Sequence, residues 1–317
     1  MDFPIADLMD ERACYDYLVG VLHPEGLRCP RCQRRDLLGV HRRHREPVLD
    51  FQCGHCGCVF NAWAGTALAG THHRPSALVL ILRGFLQGTP TARLARELGI
   101  DRKHLLGLRH RLGGIVQAHQ RDDPPLGDGT SEADEMYQNA GEKGIPHDDP
   151  EDPPRRRANK RRGHGTFSND RPPVAGAFGR QSGQARLEVI ANADGATLSG
   201  FVRRTTPQGG IVNTDEWVGY GGLGGTGRAH RRVNHSATPR EWARDDDGDG
   251  VREVHVNTAE GVWTGLRNFL RVFRGVSKHY LGQYAAVFQL GHNFKKASAT
   301  VLRILLGVLT PSTDLAS

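Results

Sequence analysis

The sequence contains no apolar run that approaches the roughly 20 residues needed to cross a membrane. Its N-terminus, MDFPIADLMDERACYDYL, is acidic and lacks the basic segment and apolar core of a secretory signal. It has no internal repeat at the periods typical of solenoids. Six cysteines in such a chain argue against a disulfide framework and favour reduced thiols or a metal. We therefore expect an intracellular, cytoplasmic protein with no membrane partner.

The composition favours a basic protein of several domains. The 317 residues are enough for two or three domains, and 40 glycines indicate many loops. The chain carries 42 Lys and Arg against 35 Asp and Glu, a formal net charge of +7. This balance favours a polyanionic partner, most simply a nucleic acid. Many basic proteins bind no nucleic acid, so charge alone does not identify the partner.

Two cysteine pairs, CPRC and CGHC, are separated by twenty residues. Four thiolates on two tight turns can surround one zinc ion in a closed tetrahedral site, the zinc ribbon. We predict a structural Zn²⁺ bound by Cys29, Cys32, Cys53 and Cys56. His55 and Cys58 are secondary candidates for ligands, and four free buried thiols are the alternative. Cys14 is predicted to be a core residue of an N-terminal helix.

The stretch TARLARELGIDRKHLLGLRHRL predicts two short helices joined by a turn. Gly99 is placed to end the first helix and Asp101 to cap the second. This is the pattern of a helix-turn-helix whose second helix enters a DNA major groove. An ordinary basic surface helix is the alternative. The side chains expected to be exposed on the second helix are Arg102, Lys103, His104, Arg109 and Arg111.

From residue 131 onward the pattern changes to short strand-like runs, at 174–179, 186–191 and 209–215. A charged, proline-rich stretch at 147–163 is predicted to be a loop. A long amphipathic helix is predicted to begin near Thr258, and further helix over 277–308. Before this region, an apolar helix is predicted over 75–88.

Three acids far apart in the chain attract attention, namely Asp134, Asp215 and Glu260. Two aspartates from neighbouring strands and one acid from a helix can converge on a pair of divalent cations, and oxygen ligands suit Mg²⁺. Each acid has a structural alternative. Glu260 could complete a capping box with Asn257 three residues earlier, Asp215 could be a turn residue, and Glu132 and Glu135 could be solvated neighbours.

A further acidic stretch, DDDGDG at 245–250, mimics the start of a calcium-binding hand. The twelfth position of such a loop would be Val256, where a bidentate acid is needed. We therefore predict a turn rather than a calcium site.

Several stretches together resemble the insertion-sequence DDE transposases with an N-terminal zinc ribbon, which are related to the eukaryotic Merlin elements. They are ACYDYLVGVLHPEGLRCPRC, CGHCGCVFNAWAGT, EADEMY, NTDEWVGY, RRVNHS and VHVNTAEGVWTGLR. The resemblance covers nearly everything from about residue 5 to 295. It implies a ribonuclease-H-like fold and an acid trio that holds two Mg²⁺ or Mn²⁺ ions, carried here by Asp134, Asp215 and Glu260.

The resemblance also implies residues around the trio. Some relatives use asparagine as the third member, and Asn257 is the matching candidate. A basic residue belongs after the third acid, and Arg267 stands seven residues on, where relatives more often have lysine. His235 in VNHS could position DNA or a phosphate, or could be structural. Six cations between 155 and 162 would bind phosphates, namely Arg155, Arg156, Arg157, Lys160, Arg161 and Arg162.

The predicted fold is a multidomain α+β or α/β chain. It has an N-terminal helix and zinc ribbon (1–74), a helix-turn-helix region (75–118), a ribonuclease-H-like catalytic domain (129–295), and a C-terminal helix and tail (296–317). The predicted function is that of a DNA transposase, which binds terminal inverted repeats and cuts and joins strands without a covalent protein–DNA intermediate. The alternatives are a non-catalytic zinc-ribbon regulator and a structure-selective nuclease.

The resemblance further implies the setting in which the protein works. Its partner would be double-stranded DNA, both the transposon ends and the target. Pairing two ends usually demands at least a homodimer assembled on DNA. The expected setting is a prokaryotic cytoplasm, in association with the nucleoid.

Overall fold

The computed structural model describes residues 10–142 and 162–308, and these divide into two units. The first unit comprises residues 10–122 together with 294–308, and the second comprises residues 123–293 without the gap. The four domain boundaries predicted from the sequence stay predictions. In the described residues, every helix is too short or too polar to cross a membrane.

The first unit begins with a capped helix and a small sheet. Helix α1 (Glu11–Leu22) starts where the side chain of Asp10 accepts a hydrogen bond from the backbone N–H of Ala13. Three antiparallel strands follow, β1 (Leu38–Arg42), β2 (Asp50–Cys53) and β3 (Val59–Asn61), with β2 in the centre. The small core of this sheet contains Phe60 and buried cysteines, so few apolar residues stabilise it.

Three helices complete the N-terminal part of the first unit: α2 (Pro75–Leu86), α3 (Thr91–Leu98) and α4 (Arg102–Gln120). As predicted, Gly99 ends α3 in a left-handed conformation (φ 64°), and the Asp101 carboxylate caps α4 by accepting from the N–H of His104. A Cβ at Gly84 would lie 2.6 Å from the Leu94 side chain, so α2 and α3 approach closely only because residue 84 is glycine.

The second unit is built on a five-stranded mixed sheet. Its strands are β4 (Thr130–Tyr137), β5 (Pro173–Gly179), β6 (Ala185–Val189), β7 (Ile211–Thr214) and β8 (Ala229–Arg232). The spatial order is β6-β5-β4-β7-β8. The β4–β5 and β5–β6 pairs are antiparallel, whereas β7 is parallel to both β4 and β8. Every residue of β5 is buried, which explains its run of small and apolar side chains.

Helices cover both faces of this sheet. Helix α5 (Gly195–Thr205) packs on one face, where Leu198 and Phe201 share a buried core with Ala133 of β4. On the other face lie α6 (Asn257–Arg271) and α7 (Lys278–Asn293). The core on this face contains Trp263 of α6 and Met136 of β4. Successive β4 side chains therefore alternate between two cores, as expected for a central strand.

The last helix belongs to the first unit. Helix α8 (Ala299–Leu306) buries most of its side chains, and the Arg303 guanidinium donates to the backbone carbonyl of Val21 at 2.8 Å. A long stretch of sequence therefore separates α8 from the helices with which it packs.

Most of the elements predicted from sequence are confirmed. The helix over 75–88, the three strand runs and the helix beginning near Thr258 all appear within a few residues of their predicted limits. The helix predicted over 277–308 is two helices with a break between them. Helix α5 and strand β8 were not predicted from the sequence. Most of the loop predicted at 147–163 lies outside the described residues.

Candidate functional site

The pairing of β4 with β7 brings two of the predicted acids together. In this parallel register Glu132 lies opposite Asn213. The same register extended by two residues puts Asp134 opposite Asp215, which directly follows the last residue of β7. Neighbouring strands lie about 4.8 Å apart, and side chains two positions apart share a face. We therefore expect Asp134 and Asp215 to lie close together, and the charge of Asp215 does raise the pKa of Asp134.

Asp134 is held by a residue of α6. Its Oδ2 accepts a hydrogen bond from the indole N–H of Trp263 at 2.8 Å, and Trp263 is only 1% exposed. Burial and the negative charges of Asp215 and Glu260 together raise the pKa of Asp134 to about 7, against the lowering effect of the Trp263 hydrogen bond. The three acids therefore interact electrostatically.

Asp215 is oriented by the turn that follows it. Its Oδ1 accepts from the backbone N–H of Trp217 at 2.9 Å, so the turn contact expected in the structural alternative is present. Burial raises its pKa, and the charge of Glu216 adds to this, whereas His235 and His164 lower it. Asp215 thus combines a turn contact with a place beside Asp134.

The capping-box interpretation of Glu260 is wrong. Helix α6 begins at Asn257, its N-cap residue is Val256, and the Val256 side chain makes no capping hydrogen bond. Glu260 and Asn257 are both exposed in the first turn, and residues three apart lie on the same side of a helix. Either side chain can therefore face the region in front of Asp134.

The expectation that Glu132 and Glu135 are solvated neighbours is also wrong. Glu132 is 0% exposed and forms an ion pair with Arg180 at 3.0 Å. Glu135 is half-buried, and its Oε2 accepts from the Tyr220 hydroxyl at 2.7 Å. Alternation along β4 points Glu132 towards α6 and Glu135 towards the opposite core.

Burial and the charges of Asp134 and Asp215 together raise the pKa of Glu135 to about 8, although the Tyr220 hydrogen bond lowers it. Aromatic rings extend this cluster. The Tyr137 hydroxyl hydrogen-bonds with Nδ1 of His164 at 2.8 Å, and the His164 ring stacks on the Trp217 ring with centroids 4.1 Å apart. The sequence analysis did not identify these rings, because aromatic residues are equally common in cores.

Within the described residues there are two groups of side chains that could hold a metal ion. In each group, the ligating atoms all lie within 4.8 Å of one another. One is the set of four cysteines predicted from sequence. The other is Asp245, Asp247 and Glu253 in and beside the acidic loop. That loop forms the predicted turn, because Asp245 accepts from the N–H groups of Gly248 and Gly250. Asp134, Asp215 and Glu260 do not form such a tight group.

The four cysteines lie on two turns with matching hydrogen bonds. The N–H of Cys29 donates to the carbonyl of Arg34, as that of Cys53 donates to Cys58 five residues on. Residues Gln33 and Gly57 take the same left-handed conformation, with φ of 62° and 68°. The chain thus folds each CxxC pair into the same turn.

The sulfur atoms fit a metal ion. The Sγ–Sγ distance is 3.5 Å from Cys29 to Cys56 and 3.6 Å from Cys32 to Cys53. A tetrahedral zinc site with bonds of about 2.3 Å requires sulfur atoms about 3.8 Å apart, whereas a disulfide would require about 2.05 Å. These four thiols can hold a metal ion.

The secondary candidates lie outside this group. His55 hydrogen-bonds with Asp36 at 3.0 Å, and the Cys58 thiol faces the carbonyl of Val59. Cys14 is buried on α1, as predicted.

The prediction that Arg109 is exposed is wrong. Arg109 is 6% exposed, its guanidinium lies 4.2 Å above the Phe85 ring, and it donates to the Thr91 hydroxyl and the Thr89 carbonyl. It faces inward because it lies one turn beyond Leu105, on the side of α4 that packs against α2 and α3. The arginine therefore stabilises the helix packing instead of facing solvent.

The other predicted DNA-binding cations fall into three groups. Arg102, Lys103 and Arg111 of α4 are exposed, as are Arg162 and Arg267. His235 is half-buried, with its ring 5.0 Å from that of Trp242. The remainder lie outside the described residues, namely Arg155, Arg156, Arg157, Lys160 and Arg161.

A cavity of about 500 Å³ lies in the second unit, where the strand β8 and the loop after it contribute most of its lining. Glu216 lines it together with arginines from β8 and the following loop, Arg231, Arg232 and Arg244. Arg231 pairs with Glu253 at 2.8 Å. The sequence analysis did not single out these arginines, although RRVNHS contains two of them.

Two segments of the chain match known families. Residues 128–293 match the ISXO2-like transposase domain, which is more than half of the chain, and residues 9–62 match a transposase zinc-ribbon domain. The chain belongs to the ISXO2-like transposase family. This confirms the resemblance to insertion-sequence transposases with an N-terminal zinc ribbon. The match to the transposase domain contains β4 to α7, and hence all three acids.

A relative of similar length is known for this transposase. It is an uncharacterized protein in the transposable element ISH50 of Halobacterium salinarum, 27% identical over 308 residues, which cover 96% of this chain and 98% of the relative.

Among solved structures, similarity extends to two complexes of the Mos1 transposase, a pre-cleavage transpososome and a mariner paired-end complex with Mn. Their identities are 11% and 12%, and both TM-scores are 0.21. Each match covers 71% of this chain and 78% of the other. TM-scores this low do not define a shared fold.

Proposed function

We propose that this chain is a DDE transposase that binds the terminal inverted repeats of its element and catalyses metal-dependent DNA strand cleavage and strand transfer. The observation that supports the proposal is the parallel β4–β7 register, which, continued by two residues, would set the half-buried Asp134 opposite the half-buried Asp215. Glu260 is near enough for its charge to raise the pKa of Asp134. Family membership supports the class of reaction, and these carboxylates are the side chains that would bind its metal ions.

The chemistry of the three acids fits two divalent ions. Carboxylate oxygens are ligands that Mg²⁺ and Mn²⁺ prefer. Within the described parts of the chain, the ion pairs of lysine and arginine do not include Asp134, Asp215 or Glu260. A bound cation would offset both the burial and the repulsion that raise the pKa of Asp134. Asn257 is the alternative third ligand to Glu260.

The residues around the acids would orient them for this role. Trp263 holds Oδ2 of Asp134, and the N–H of Trp217 holds Oδ1 of Asp215, so each carboxylate is fixed through one oxygen. When bound, the two ions would polarise the scissile phosphate and neutralise charge on the leaving oxygen.

The proposed reaction has two steps. Water attacks the phosphorus at the element end, the bond to the 3′ oxygen breaks, and the DNA end leaves as a 3′-hydroxyl. That hydroxyl then attacks a target phosphodiester, which releases a target 3′-hydroxyl and joins the strands. Both steps are in-line displacements, and neither forms a bond between DNA and a protein side chain.

The remainder of the chain would bind DNA and support the catalytic domain. We propose that the four cysteines hold structural zinc, and that exposed Arg102, Lys103 and Arg111 of α4 contact the repeats. The mixed sheet of the second unit, with its acids on the first and fourth strands, supports a ribonuclease-H-like fold. Arg267, His235, Arg162 and the cations at 155–161 would bind phosphates. At least a dimer would assemble on the paired ends.

A cleavage and joining assay with labelled element ends and Mg²⁺ tests the proposal. Asp134→Ala should abolish both products, since an essential ligand is lost, while binding to the repeats stays nearly unchanged. Glu188→Gln is the matched control, because Glu188 is an exposed acid of the same sheet that pairs with Arg204. It should behave like the wild type.

The same assay separates the other two functions. Repeat binding without Mg²⁺-dependent cleavage would identify a regulator, and cleavage without a joined product would identify a nuclease. Full strand transfer by Asp134→Ala would refute the assignment of the acids.

A further inference from the structure

Glu132 connects the strand that carries one proposed ligand to the helix that carries another. Its Oε2 accepts from the backbone N–H of Ala259 at 2.9 Å, and its Oε1 accepts from the Thr258 hydroxyl at 2.9 Å. A carboxylate at this position also interacts favourably with the N-terminal dipole of the helix. Glu132 therefore caps α6 in place of the N-cap residue, which offers no side-chain hydrogen bond.

The buried charge of Glu132 is balanced from other elements. Arg180, which follows β5, donates to Oε1 at 3.0 Å, and Nδ1 of His255 lies 3.2 Å from the same oxygen. Arg180 also donates to the carbonyl of Glu253 at 3.2 Å. Since a buried carboxylate without partners would be costly, this arrangement fixes Glu132 in one position.

Contacts between β4 and α6 lie before and after Glu260 along the helix. The cap is made at residues 258 and 259, directly before Glu260, and Trp263 follows it three residues later with its bond to Asp134. On the strand, the partners are residues 132 and 134, which share one face of β4. Strand and helix are thus joined at two points, one of which is made by the proposed ligand Asp134, and the proposed ligand Glu260 lies between them along the helix.

We propose that Glu132 is a positioning residue that sets the distance between Glu260 and Asp134, and so determines the affinity of the acid trio for divalent metal. The inference rests on the proposed function, because it assigns a role towards the same acids. Outer-shell partners of metal ligands typically contribute about 10- to 100-fold in metal affinity.

The test is a titration of the full-length, DNA-free protein with Mn²⁺, followed by electron paramagnetic resonance of the free ion. Glu132→Gln places an N–H donor where either Arg180 or the helix N–H group needs an acceptor, so Mn²⁺ affinity should fall at least about 10-fold. Thr258→Val removes one bond of the cap and is nearly isosteric. It should lower Mn²⁺ affinity about three-fold or more, while the protein stays folded.

Two controls separate position from stability. Thr264→Val removes a hydroxyl from the same helix that donates to the carbonyl of Glu260, and it should leave Mn²⁺ affinity unchanged. Gln289→Leu removes a buried side-chain acceptor for the N–H of Leu187 in the same unit, and it should lower the melting temperature without changing Mn²⁺ affinity. Saturating Mn²⁺ should restore cleavage by Glu132→Gln.

The outcomes distinguish the two proposals. If the wild type binds Mn²⁺, Asp134→Ala does not, and Thr258→Val and Glu132→Gln bind like the wild type, the role of Glu132 is refuted and the proposed function stands. If wild type and Asp134→Ala bind Mn²⁺ equally poorly in the presence of repeat DNA as well, the proposed function itself is refuted.

Discussion

The cysteine cluster of the first unit and the carboxylates of the second differ in how the chain assembles them. The four thiols come from two short turns with the same hydrogen bonds, and their sulfur atoms already stand 3.5 and 3.6 Å apart in facing pairs. The three acids come from two strands and a helix, and they do not form a tight group. A closed set of ligands suits a structural ion, whereas an open set leaves room for a substrate.

The apolar cores around the two groups of ligands also differ in size. The small sheet beside the thiols has a core of few apolar residues, so a metal would supply much of its stability. The carboxylates lie between two large cores that include Trp263, Phe178 and Phe201. We therefore expect the second unit to fold without a metal. Burial raises the pKa of its half-buried acids Asp134, Glu135 and Asp215.

The largest expected effect concerns the thiols. Cys29→Ser should remove zinc and unfold the ribbon, because structural zinc contributes about 10–16 kcal/mol in small zinc-binding peptides. Zinc analysis and proteolysis of the first unit measure this change. Cys58→Ser is the matched control, since that thiol lies outside the cluster. A folded ribbon in Cys29→Ser would show that the two sites do not differ in this way.

An intermediate effect is expected at the carboxylates. Trp263→Phe removes the hydrogen bond to Asp134 and should lower strand cleavage about 10- to 100-fold, as losses of outer-shell partners do. The second unit should remain folded, as circular dichroism can verify. Trp63→Phe shortens an equally buried indole in the first unit and should leave the cleavage step unchanged. If Trp263→Phe cleaved DNA as fast as the wild type, Trp263 would have no role in orienting Asp134.

The smallest expected effect is on stability and depends on pH. The folded-state pKa of Glu135 is raised to about 8. The contribution of Glu135 to the free energy of unfolding is therefore fully present below the ordinary pKa of glutamate. It is lost as pH rises through about 8. The free energy of unfolding should fall between pH 5 and pH 9 in the metal-free wild type. It should fall by about 1–3 kcal/mol less in metal-free Glu135→Gln.

Urea unfolding at the two pH values measures this difference. Gln accepts the Tyr220 hydroxyl as Glu does, so the variant changes the charge and keeps the hydrogen bond. A difference that does not depend on pH would mean that Glu135 ionises normally in the folded protein.

Local features of the fold could be predicted from the sequence. The spacing of CPRC and CGHC predicted the cysteine group, and Gly99 and Asp101 predicted the ends of α3 and α4. These features depend on residues close together in the chain, where backbone geometry and hydrogen bonding decide the outcome. Helix α5 was not predicted because its sequence, GATLSGFVRRT, is rich in glycine and threonine. It forms on a side-chain cap from Asp194 and on packing against the sheet.

The sequence by itself determined which residues are available: two CxxC pairs, three separated acids and a basic helix. Only the tertiary structure decided which of them meet and which are buried. Arg109 and Arg111 look alike in sequence, yet the packing of α4 buries the first and leaves the second exposed. Glu132 and Glu135 flank Asp134, yet they point to opposite cores because β4 is the central strand of its sheet. Burial and strand register are long-range properties, and they set the partners and the pKa of each charged group.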